Sequence, residues 1–203
     1  MERSFFALQA RSFVTGDKNP IQLDQINDLR SSRFSAAQDV VSTLAGNGKY
    51  INRKTMDNAL DAGLSEAEYI ELIGVTTRSI SLDIFSKGVG LPYATYENPE
   101  NSVPTKQLPT FLKKEGAWIR TIPAGDSGGT DGKKLYGDIQ APFIFRALSL
   151  VPDEAKEVMT ISTTQYVPAK KLMSLEFSHE KEFGRSLVEL VAGRTSALNE
   201  CFY

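Results

Sequence analysis

The chain has 203 residues, 41% hydrophobic, 24% charged and 9% aromatic, and its 23 basic and 25 acidic residues leave a formal charge of −2. That length buries a core without staples, and the near-neutral balance argues against a general nucleic-acid binder. No apolar run is long enough to span a membrane, Met1-Glu2-Arg3-Ser4-Phe5-Phe6 lacks the order of a signal peptide, and one cysteine forbids an internal disulfide, so the expected compartment is the reducing cytoplasm.

In chain order, Phe34, Ala37, Val40, Val41 and Leu44 recur at three- and four-residue spacing, which predicts a helix over 34–45, stopped by Gly46-Asn47-Gly48. A second short helix is expected over 53–62, with Met56, Ala59 and Leu60 inward and Gly63 at its C-terminal cap. Ser65 followed by Glu68 fits a capping box, in which hydroxyl and carboxylate satisfy orphan backbone amides reciprocally. From there Ile70, Ile73, Thr77, Ile80 and Ile84 carry helical spacing to about Lys87. The β-branched Val75, Thr76, Thr77 and Ile80 weaken that propensity, but no strand partner is evident.

Residues 92–142 change character, holding six of the nine prolines and the loop Gly125-Asp126-Ser127-Gly128-Gly129-Thr130-Asp131-Gly132. They read as a surface connector between two modules, with one short helix near 107–114. A phosphate-binding loop fails on spacing: its first glycine would be Ser127, and Lys134 stands where the metal-binding hydroxyl belongs. A flexible loop is the expectation there. The lysine pairs 113–114, 133–134 and 170–171 read as solvated faces.

Helical signals resume at Pro152 and Asp153, through Ala155, Val158, Met159 and Ile161 to Tyr166. The stretch 169–203 adds Leu172, Leu175, Leu187, Leu190, Val191, Leu198 and Phe202. The fold class is all-α. His179, the single histidine, lies in a strongly polar setting and reads as an exposed helix residue. One histidine and one cysteine remove most zinc sites, and no metal or cofactor is expected.

Cys201 is the one candidate nucleophile, although a lone cysteine in an apolar helix is more often a small core residue. Glu189 lies twelve residues upstream, about 18 Å along an unbroken helix and too far for proton transfer. If Gly193 ended one helix and Thr195 or Ser196 capped the next, the bend would bring the carboxylate near the sulfur. Cys201 would then sit early in a second helix, where the amide end favours a thiolate. Cys201 and Glu189 are therefore the candidate catalytic pair.

These residues also carry a resemblance. Arg146-Ala147-Leu148-Ser149-Leu150-Val151-Pro152, Gln165-Tyr166, Glu189-Leu190-Val191-Ala192-Gly193-Arg194 and Ser196-Ala197-Leu198-Asn199-Glu200-Cys201-Phe202-Tyr203 together resemble the alkylhydroperoxidase D-like proteins. The likeness is to the two-module "peroxidase-related" branch of the carboxymuconolactone decarboxylase superfamily. That family's motif is a glutamate, eleven residues, then Cys-x-x-Cys-x-x-x-His, and Glu189 and Cys201 match its first two members in type and spacing. Ala59-Leu60-Asp61-Ala62-Gly63-Leu64-Ser65-Glu66-Ala67-Glu68 and the residues to Ile73 resemble the part of the fold that follows the motif. The second motif cysteine and the histidine would fall beyond Tyr203. The chain thus reads as the back half of one alkylhydroperoxidase-like module (1–91), a Pro/Gly-rich connector (92–138), and the front half of a second module (139–203). A truncated product, an excised fragment and a rearranged protein in which head and tail form one unit all fit that order.

The resemblance implies a thiol-dependent hydroperoxide reductase. In such enzymes a thiolate attacks a hydroperoxide, the sulfenic acid condenses with the partner cysteine, and a thiol reductant reopens the disulfide. The glutamate and histidine relay the proton. With Cys201 alone, turnover needs an outside thiol, so this chain is expected to be weak or inactive by itself. The partners implied are a hydroperoxide substrate, a thiol reductant and further copies of the chain. Two readings stand beside it: a catalytically silent helical self-association module, with Phe202-Tyr203 needing cover, and a carboxymuconolactone decarboxylase-like enzyme, last because no non-thiol acid/base site identifies itself.

Overall fold

The computed structural model describes residues 2–21, 26, 31–96, 105–180 and 182–201. Its helices are α1 Glu2–Thr15, α2 Ser32–Asn47, α3 Arg53–Asp61, α4 Glu66–Val89, α5 Gly129–Tyr136, α6 Phe143–Arg146, α7 Pro152–Gln165 and α8 Arg185–Leu198. Among the described residues there is no strand, only an isolated antiparallel bridge between Lys113 and Thr121. The protein is all-α.

Local signals account for α2 to α4. Ser31 caps α2 by accepting the Phe34 amide. Asn52 and Thr55 form a capping box on α3, and Ser65 and Glu68 form the expected one on α4. Gly90 ends α4 in the left-handed conformation, φ 73°. α1 has no counterpart in the sequence expectations. It buries Phe5, Phe6 and Ala10, and its two phenylalanine rings meet Phe34 of α2 at centroid distances of 5.5 and 5.4 Å.

Contacts in register show α1, α2 and α4 running the same way. Phe5 and Phe6 lie beside Phe34, and further along Gln9 Nε2 donates to Ser42 Oγ at 2.8 Å. Arg3 pairs with Glu71 near the start of α4, Arg11 with Asp83 three-quarters along, and Lys87 donates to the Val14 carbonyl at the end. α3 is the return between α2 and α4, and its end is fastened where Ser32 Oγ donates to the Ala62 carbonyl.

The stretch 92–142 departs from expectation. Residues 107–114 are not helical, and the region is no surface connector: Ile119 belongs to the main core, and Ile122 and Pro123 are fully buried. Ile122, Leu135, Tyr136, Ala141, Phe145 and Ala155 make a second core. The glycines 125–132, expected as a flexible loop, lead into α5 through close approach. Gly128 and Gly132 lie against the Pro123 carbonyl, and a Cβ on Gly129 (φ 53°) would meet the Phe111 ring at 2.6 Å. Asp131 then accepts the Thr110 and Phe111 amides at 2.6 and 3.1 Å. Glycine and proline here permit contact rather than mobility.

α7 lies along α4. Glu154, nearly fully buried, rests on Gly74 and is paired with Arg3 and Arg78, while Ser81 Oγ donates to Gln165 at 2.9 Å. Leu150 joins the main core beside residues of α1, α2 and α4. Among the described residues after 168 the chain is less helical than expected: a single 3-10 turn at Ala169–Lys171, then turns, then α8.

Candidate functional site

The candidate residues lie on and just after α8, which is anchored by its first residue. Arg185 is buried, and its guanidinium donates to the carbonyls of Leu172 (3.0 Å), Ser174 (3.3 Å) and Lys171 (3.4 Å). One turn on, Arg185 Nε also donates to Glu189 at 2.5 Å, and the Tyr166 hydroxyl donates to the same carboxylate oxygen at 2.6 Å. The Tyr166 hydroxyl first, then Arg185, hold the Glu189 carboxyl below the usual carboxylate range. Tyr166 is pushed up in turn, by burial and by the carboxylate it serves. His179 is exposed as expected but lies in a bend, not a helix; its Nε2 sits 2.9 Å from the Tyr166 carbonyl and its ring meets Phe177 edge-on.

The bend expected at Gly193 is absent. α8 runs unbroken from Arg185 to Leu198. Thr195, offered as a cap, instead donates its hydroxyl back to the Val191 carbonyl at 2.9 Å, a bond of helix interiors. The helix ends only at Asn199. Glu200 takes the left-handed conformation (φ 53°), its amide donates to Ala197, and the Cys201 amide donates to Ser196 at 2.9 Å. These two bonds make a Schellman ending with Glu200 where glycine is usual. The physical reason is that a glycine in a helix interior costs only about 1 kcal/mol against alanine and does not force a break.

The structure therefore does not bring the candidate pair together. Nine residues of unbroken helix, about 14 Å at helical rise, separate Glu189 from Leu198, and Cys201 follows beyond the cap. Cys201 is an exposed free thiol past the carbonyl end of α8, not at an amide end. Lys49 holds this end of the helix through Glu200 at 3.0 Å. Phe202 and Tyr203 lie outside the described residues. Arg185 and Tyr166 are the residues that organise Glu189. The i,i+4 spacing of Arg185 and Glu189 signals the first of these; Tyr166, 23 residues away, leaves no local signal.

Other buried charges are paired within the fold. Asp83 takes both hydrogen bonds of Arg11, at 2.8 and 2.7 Å, and Arg11 stacks over Tyr96. Among the described residues no three His, Cys, Asp or Glu side chains converge on a metal-sized site, and no helix is long and apolar enough to cross a membrane.

Fold and site define an all-α protein with an exposed thiol at the end of a largely uncovered helix. Comparison with protein-family models, curated proteins and solved structures finds no match to this chain.

Proposed function

We propose that the chain acts by self-association: a helical module of the alkylhydroperoxidase D-like kind, catalytically silent or nearly so on its own. One observation carries this reading. Leu187, Leu190, Val191 and Leu198 recur along α8 at helical spacing and are 45–68% exposed, although Arg185 anchors the start of the helix. An exposed apolar stripe of that kind, interrupted only at Arg194, marks an interaction surface. Light scattering from about 1 to about 100 µM tests it, because association is concentration-dependent. The expected result is a mass rising above 22.4 kDa; a monomer throughout overturns the reading.

The thiol-dependent hydroperoxide reductase is the second reading, favoured by the exposed thiol of Cys201. The Cys201 thiolate takes one oxygen of the hydroperoxide, the O–O bond breaks, and the other oxygen leaves with a proton as alcohol. An outside thiol then displaces water from the sulfenic acid, and a second one frees Cys201 as the disulfide of the reductant forms. Glu189 takes no part in this sequence at its distance, so the chain alone reacts as an unassisted thiol.

A further inference from the structure

We propose that the uncovered face of α8 docks on the last two turns of α4 in a second copy of the chain, with the reciprocal contact made at the same time. The proposal rests on the self-association reading and names the surfaces. α4 has 24 residues and α7 has 14, about 36 and 21 Å at helical rise, so α7 cannot cover α4 along its full length. α7 occupies the face of α4 that carries Gly74, Arg78 and Ser81, as the contacts with Glu154 and Gln165 show.

Helical spacing places Leu82, four residues after Arg78, on that same face, with Phe85 and Val89 one and two turns beyond Ser81. They are 37–55% exposed. The ledge is thus the continuation of an interior interface whose cover stops at Gln165, where the chain turns away.

The occupant must present an apolar helix, and α8 is one. Its own chain does not use it there. Arg185 holds its start on the 171–174 carbonyls, and with α8 so placed the ledge stays open. A second copy supplies both halves, since the α8 of each chain meets the α4 of the other, the self-complementary form of a two-fold interface. The exposed parts of these ledge and stripe side chains leave roughly 700 Å² per copy, close to the ~800 Å² that each partner contributes to a standard interface. Arg194 lies within the stripe, where its aliphatic stem packs and its head reaches the rim.

Cross-linking tests this placement. A chain carrying Cys201→Ser and Phe85→Cys is mixed with one carrying Cys201→Ser and Leu190→Cys and treated with a short bis-maleimide. The expected product is a cross-linked dimer, which Asp61→Cys in place of Phe85→Cys does not give. Phe85→Glu and Leu190→Glu, both at exposed positions, are expected to keep the circular dichroism of the parent and to weaken association at least tenfold. Association that persists unchanged in both variants, without the cross-link, overturns this pairing and leaves self-association standing. A chain carrying Cys201→Ser, Phe85→Cys and Leu190→Cys that cross-links internally at high dilution overturns the second copy as occupant. A monomer at all concentrations overturns pairing and self-association together.

Discussion

At Gly74 a hydrogen atom in place of a methyl sets how closely α7 approaches α4. A Cβ there would overlap the buried Glu154 carboxylate, which is held by Arg3 and Arg78 and has little room to yield. Overpacking of this kind costs about 1–3 kcal/mol, while alanine returns up to about 1 kcal/mol of helix propensity. Gly74→Ala is therefore expected to lose about 1–2 kcal/mol, read as a lower urea midpoint; a raised midpoint would mean that the carboxylate moves freely. Gly193 is the opposite case, helical with nothing within 4 Å of an added Cβ. Gly193→Ala is expected to stabilise α8 by about 0.5–1 kcal/mol, seen as slower amide exchange along 189–198. A glycine serving as a left-handed corner would respond with faster exchange, so this variant separates the straight helix from the bent one.

The start of α4 shows how an element couples to pH. Ser65 Oγ accepts the Glu68 amide at 3.2 Å and donates to the Glu68 carboxylate at 2.8 Å, and Arg33 reaches the other carboxylate oxygen at 2.7 Å. Burial pushes this carboxyl up, but the Ser65 backbone amide, Arg33 and the Ser65 hydroxyl outweigh it and hold Glu68 below its usual range. A depressed folded-state pKa contributes stability that is complete above the unfolded carboxylate range and is lost as pH falls through the folded value. Ser65→Ala is expected to cost about 1 kcal/mol at neutral pH. Glu68→Gln keeps a side chain suited to the box, so its expected mark is a shallower stability loss between about pH 5 and pH 2, measured by chemical denaturation along a pH series. This box was legible because its four residues are consecutive, and the stripes of α2 and α4 because their period is local. Burial of Ile119 and Ile122 was not, since it depends on partners such as Ser149, whose hydroxyl accepts the Ile122 amide 27 residues away. In α8 the sequence offered a glycine and two capping residues but no sign of which backbone state they take. Thr195 chose the carbonyl behind it, and the corner did not form.

Across the whole molecule the first helices and residues as far along as Glu154 share one interior. Arg3 from the first helix and Arg78 from the fourth both pair with Glu154, and Ile119 and Leu150 sit in the core built by α1, α2 and α4. What this interior does not do is carry Glu189 to Cys201. The carboxylate is engaged by Tyr166 and Arg185 at one end of a straight helix, and the thiol is exposed beyond the other. General acid–base help at a reacting thiol is worth about 10²- to 10⁴-fold in rate, so a working relay between the two would be plain in solution. Stopped-flow peroxide consumption per Cys201 thiol is expected to match that of free cysteine within a few-fold, and Glu189→Gln is expected to leave the rate unchanged. A parent rate about a hundredfold above free cysteine, lost in Glu189→Gln, would show that the carboxylate reaches a sulfur after all. If that rate also rose with protein concentration, the sulfur it reaches would belong to a second copy rather than to a bend within the helix.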